Sequence, residues 1–106
     1  MNAEERELVQ TCKKRLAAHY GPRLKKLILY GSIARGTAEP ESDIDLLVVL
    51  GEPFDYFVDL EVVVDLLYDL QLSSNRYLSA RPARARDFQA GRIQLYRNAK
   101  QEGIAV

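Results

Sequence analysis

Asp43 and Asp45 stand one residue apart at the head of an apolar run, Ser-Asp-Ile-Asp-Leu-Leu-Val-Val-Leu, and a Gly-Ser pair, Gly31 and Ser32, precedes them across a polar loop. Side chains alternate along a strand, so the two aspartates would share one face while Ile44 and Leu46 point into a core. Two carboxylates in one patch repel each other, and a hard divalent cation with a taste for oxygen ligands relieves that repulsion. If the cation is Mg²⁺, positions stay open for water or phosphate. The plainer alternative makes Ser42 and Asp43 turn residues leading into the strand. At Gly31 the missing side chain lets a phosphate approach the backbone, a helix start beyond it offers unpaired N–H groups, and the Ser32 hydroxyl adds a donor; together they suit a triphosphate. Arg35, one turn on, reaches the same anion or pairs with an acid such as Glu39. Gly36 suits a left-handed exit from that turn, a structural role.

The elements that position these groups can be read from the pattern around them. Asn2 and Glu5 form a capping box, and Leu8, Cys12, Leu16 and Tyr20 recur at helical spacing, so a first amphipathic helix runs to Tyr20 and stops at Gly21-Pro22. Leu24 to Tyr30 and Asp43 to Leu50 read as strands, with a short helical turn between them. Phe54 to Leu72 reads as a helix with Asp55, Asp59, Glu61, Asp65 and Asp69 on one arc and Tyr56, Leu60, Val63, Val64, Leu67 and Leu70 opposite. Val58, Val62 and Leu66 interrupt the acidic arc, covered either by another element or by a partner. A third strand is expected from Arg76 to Arg81, bounded by Pro82, then short helices over Ala83 to Ala90 and Leu95 to Glu102. This order gives an α/β sheet covered by helices, in one domain spanning residues 1–106.

Composition narrows the class. No apolar run approaches the length of a membrane span, the acidic start MNAEERE differs from a secretory signal, and Cys12 is the only cysteine, so a cytoplasmic, membrane-free setting is expected. The net charge of zero hides a segregation: residues 1–35 carry eight Lys or Arg against three acids, residues 36–75 carry ten acids and no Lys or Arg, and residues 76–106 carry seven basic residues against two acids. Such grouping needs metal, solvent or an opposite surface to offset it. Few aromatics are interleaved among the C-terminal arginines, which argues against direct nucleic-acid binding. Arg76, Arg81, Arg84 and Arg86 line a triphosphate cleft, dock a partner or are scattered surface charges. His19 lacks a catalytic companion, and Cys12 falls on the apolar stripe of the first helix.

In order, strand, Gly-Ser, Ala-Arg-Gly, polar loop and Ser-Asp-Ile-Asp-Leu make a pattern that resembles the DNA polymerase β-like nucleotidyltransferases, specifically the minimal nucleotidyltransferases paired with HEPN-domain proteins. The resemblance is strongest from Leu27 to Leu50. It implies an α+β nucleotidyltransferase fold, a small mixed β-sheet flanked by helices. It also implies Mg²⁺ held by Asp43 and Asp45, and a nucleoside triphosphate, usually ATP, held at Gly31 and Ser32 with Arg35 nearby. Transfer of AMP to a hydroxyl of a HEPN-domain toxin, an antitoxin role within a homo- or hetero-oligomer, follows as the expected function. Active members carry a third carboxylate on a later strand. Here that strand is "NRYLSARP", which has no acid, and Ser79 lies near the slot. Asp59, Asp65 or Asp69, or a partner, would have to supply the acid. Otherwise the chain is a catalytically weak or inactive module that binds nucleotide or neutralises its partner by complex formation.

Overall fold

The structure, a computed structural model, describes residues 1–37, 39 and 42–106, so part of the polar loop lies outside the described residues. The elements are α1 (Ala3–Tyr20), a 3-10 turn (Gly21–Arg23), β1 (Leu24–Tyr30), α2 (Ser32–Arg35), β2 (Ile44–Leu50), α3 (Tyr56–Ser73), β3 (Leu78–Arg84), α4 (Ala85–Ala90), α5 (Gln94–Glu102) and β4 (Ile104–Ala105). The strands form one mixed sheet in the order β3-β2-β1-β4; β2 runs antiparallel to β1 and parallel to β3, and β4 is antiparallel to β1. This is the expected α+β architecture.

Alternation along the central strands assigns the two faces of the sheet. Ile44, Leu46, Val48 and Leu50 of β2, with Leu27 and Leu29 of β1, bury against Val9, Cys12 and Leu16 of α1 and Val63 and Leu67 of α3. Leu47 and Val49, with Ile28, turn the other way onto Phe88 of α4 and Ala99 of α5. Each fully buried Leu or Val stabilises the fold by about 1.5–3 kcal/mol relative to exposure. Both faces of β2 are therefore apolar except at the end where Asp43 and Asp45 emerge.

At the start of α1 the Asn2 side chain accepts from the Glu5 amide at 2.8 Å and Glu5 accepts from the Asn2 amide at 3.1 Å, the expected capping box. Of the apolar residues interrupting the acidic arc of α3, Val62 and Leu66 pack partly against the α1 core while Val58 is exposed. Charge segregation is resolved across the sequence. Arg15 binds both carboxylate oxygens of Asp69, Arg23 meets Asp59 at 3.5 Å, and Arg84 and Arg86 lie 3.2 and 3.8 Å from Glu52. The first and last segments thus supply counter-charges to the acidic middle.

Two expectations are corrected and one further strand is found. Pro82 does not end the third strand, which continues to Arg84; β3 lies at the sheet edge, where a missing N–H is tolerated. β4 was not anticipated, because two residues, Ile104 and Ala105, carry no periodic signal. Asp59 is not a solvated helix acid. It is 5% exposed, its carboxylate accepting from the Tyr20 hydroxyl at 3.1 Å and the Asp55 amide at 3.1 Å. Burial and this bond push the Tyr20 phenol up to about 12. No helix in the described residues is long and apolar enough to cross a membrane.

Candidate functional site

The candidate groups gather where β1 ends, β2 begins and β3 enters the sheet. Tyr30, the last residue of β1, is the cross-strand partner of Asp45, so Gly31 and Ser32 follow directly beside that aspartate. The local conformation depends on glycine: Gly31 has φ 80° and ψ −156°, a region open essentially to glycine alone. A Cβ at Gly31 would overlap Oδ2 of Asp45 and lie 3.3 Å from its Cγ, so the missing side chain is what admits the carboxylate. Gly36 closes the turn in the left-handed conformation, φ 76° and ψ 18°, as expected. In between, Ser32 to Arg35 form one helical turn whose first N–H groups have no helical acceptor.

Asp43 lies one residue ahead of β2 and is exposed, whereas Asp45 is within the strand and partly buried. Burial, followed by the nearby charge of Asp43, raises the Asp45 carboxyl above its ordinary value; Arg81 and Arg35 pull the other way. Asp43 thus acts electrostatically on Asp45, although it stands in the turn ahead of the strand rather than within the alternation expected to align the two. A cation between them would offset their repulsion and favour the ionised form of both.

The third-strand register is direct: Asp45 is paired with Ser79 and Leu47 with Arg81. Ser79 therefore occupies the slot beside the aspartate pair, and the acid expected there by resemblance is absent. Arg81, two residues on, shares the face of Ser79. Two of the α3 acids are committed elsewhere: Asp59 is tied to Tyr20 and Arg23, and Asp69 to Arg15. Among the described residues no group of three or more His, Cys, Asp or Glu is placed to hold a metal ion. Asp43 and Asp45 are the two carboxylates here that would hold a Mg²⁺, whose other ligands would be phosphate oxygens and water.

Arg35 does not pair with Glu39; its counter-charge is Glu102 of α5, at 3.6 Å. Arg84 and Arg86 are engaged with Glu52, away from the aspartates. Arg76 is not a scattered surface charge. Only 12% exposed, it donates from Nε to the Ser42 carbonyl at 2.7 Å and pairs with Glu5 at 3.3 Å. It pins the backbone immediately before Asp43, and the Ile44 amide donates to the Tyr77 carbonyl at 2.9 Å on the same path. Sequence reasoning missed this clamp, since no local spacing links residue 76 to residue 42. Cys12 is fully buried, with its thiol pushed up to about 11 by burial, and His19 packs edge-on against Tyr20.

Comparison with known proteins bears on the family and the fold. The nucleotidyltransferase domain family model matches residues 7–100. The candidate protein adenylyltransferase MJ0604 of Methanocaldococcus jannaschii is 39% identical over 70 residues, covering 66% of this chain and 70% of that protein. Among solved structures, a candidate nucleotidyltransferase from Sulfolobus solfataricus superposes with a TM-score of 0.62 at 19% identity, over 93% of this chain and 76% of the other. A toxin–antitoxin crystallised with AMP-PNP gives 0.61 at 20% identity, over 91% of this chain and 70% of the other. With the family match running over residues 7–100 and the sheet as described, the chain belongs to the nucleotidyltransferase domain family.

Proposed function

We propose that the protein transfers AMP from ATP to a hydroxyl of a partner protein, with Asp43 and Asp45 as the metal-holding pair and Gly31 and Ser32 as the phosphate cradle. The observation that carries this reading is the packing of Asp45 against the side-chain-free Gly31, which brings the carboxylate and the cradle to one point. Gly31 leaves the turn's amides open to phosphate oxygens, and the Ser32 hydroxyl donates to them. Arg76, through Ser42, sets the direction in which Asp43 leaves the loop. Mg²⁺, when bound by the two carboxylates and the triphosphate, supplies positive charge to the α-phosphoryl group and the departing pyrophosphate. The acceptor oxygen forms a bond to the α-phosphorus, the α–β anhydride bond breaks, pyrophosphate leaves and the hydroxyl proton passes to water.

The names of the adenylyltransferase relative and of the AMP-PNP-bound toxin–antitoxin support this choice of nucleotide and a protein acceptor. The resemblance of Leu27 to Leu50 to minimal nucleotidyltransferases is what supports a HEPN-domain toxin in the cytoplasm as the acceptor within this proposal. The test is intact-mass measurement of such a partner incubated with the chain, ATP and Mg²⁺. A gain of one AMP that disappears with Asp43→Asn plus Asp45→Asn is expected; no gain, or a gain indifferent to the double change, refutes the proposal.

Ser79 beside Asp45 favours a second reading, a module that neutralises its partner by binding without efficient transfer. A hydroxyl is a weaker metal ligand and proton acceptor than a carboxylate. This reading predicts neutralisation that survives the double aspartate change and needs no nucleotide.

A further inference from the structure

The fold leaves an apolar groove unfilled between α3 and the free edge of β3. Val64 and Tyr68 of α3 and Tyr77, just before β3, are 50%, 58% and 61% exposed around it. Leu60 and Leu67 line its interior, and the cavity, of about 480 Å³, continues to Ser79 and Arg81. Phe57 and Leu72 extend the exposed apolar surface toward the two ends of the helix. A patch of this kind on a chain of 106 residues marks a binding surface more often than a solvated one.

What fits the groove follows from its edges. An added strand is disfavoured, because Pro82 removes a donor from the edge of β3. A helix needs only the side chains. Glu61 and Asp65 lie on the exposed face of α3 beside Val64 and Tyr68. Unlike Asp59 and Asp69, they form no ion pair among the described residues. A second copy of this face would bring together Glu61 and Asp65 of both copies, four carboxylates against one groove arginine, Arg81, from each. The complement is therefore apolar along one stripe and cationic at its margin. Ser79, the paired neighbour of Asp45, is among the residues lining the groove, so the groove reaches the edge of the candidate site.

We propose that this groove docks an amphipathic helix of the acceptor protein. Its apolar stripe lies on Val64, Tyr68 and Tyr77, its lysines or arginines lie over Glu61 and Asp65, and its acceptor hydroxyl passes Ser79 toward Asp45. The hydroxyl rests on the transferase reading; the docking does not. The probe is a synthetic helix with a leucine stripe, lysine flanks and one terminal tyrosine, compared with a glutamate-flanked twin by fluorescence anisotropy on the full chain without nucleotide. The lysine peptide binds on the order of tenfold tighter, as expected for a few exposed charge pairs. Glu61→Lys plus Asp65→Lys inverts the preference, and Val64→Lys weakens both peptides. Equal binding of the two peptides, or indifference to these changes, overturns the proposal, as does self-association in sedimentation that Val64→Lys abolishes. Lysine-peptide binding that survives Asp43→Asn plus Asp45→Asn supports the groove. If the wild-type chain binds that peptide yet neither the peptide nor a HEPN partner gains AMP, the groove stands and the transfer reading fails.

Discussion

Replacing Gly31 by alanine separates two costs that the structure superimposes. The backbone at φ 80° and ψ −156° is strained for any residue with a Cβ, about 1–3 kcal/mol. The new methyl also overlaps Oδ2 of Asp45 and lies 3.3 Å from its Cγ, but 3.5 Å from its Cβ, an ordinary contact. Truncating Asp45 to alanine removes the first two contacts and keeps the third. Gly31→Ala should therefore cost about 2–5 kcal/mol with Asp45 present and about 1–3 kcal/mol with Asp45→Ala, a coupling of at least about 1 kcal/mol. For a chain of this size each kilocalorie lowers Tm by roughly 4–8 °C. Urea and thermal unfolding of the four proteins measures the cycle. Equal costs in the two backgrounds, within about 0.5 kcal/mol, refute the packing of Asp45 on Gly31 and with it the shared site.

Further outcomes follow from the same geometry. Because the Asp45 carboxyl is raised, folding loses stability as pH climbs from below the ordinary aspartate value toward neutrality. Asp45→Asn should remove that loss and raise the neutral-pH Tm, read by thermal melts from acid to neutral pH; an unchanged profile counts against the burial and repulsion. Tyr20→Phe strips one bond from a buried carboxylate and should cost about 1–3 kcal/mol in urea unfolding, with little loss as evidence against the Tyr20–Asp59 contact. The buried Cys12 thiol, pushed up to about 11, should resist Ellman's reagent in the native state and react once unfolded; rapid native labelling contradicts its burial.

Long apolar periods and short motifs were legible because their meaning is local. The capping box of α1, the Gly31-to-Gly36 turn and the run into β2 each identify themselves within a few residues. The absence of an acid at Ser79 was also readable, once a strand was placed there, and the β2–β3 register puts Ser79 opposite Asp45. What escaped depends on distant pairing. Pro82 reads as a stop until its strand is known to be an edge, and β4 is held by pairing to β1. Asp59 looks like one more acid on a polar arc; only the approach of Tyr20 and Arg23 from α1 and the turn after it makes it a buried one. Arg76 similarly gains its role from Glu5 and Ser42, neither near it in sequence.

Titration of the chain with Mn²⁺ in the presence of a non-hydrolysable ATP analogue, followed by electron paramagnetic resonance, tests most directly whether Asp43 and Asp45 hold a cation against a triphosphate. One nucleotide-dependent ion per chain, lost in Asp43→Asn plus Asp45→Asn and retained in Ser79→Ala, is the result the geometry predicts. The same ion uptake in the double-aspartate variant, or none in the wild-type chain, would contradict it.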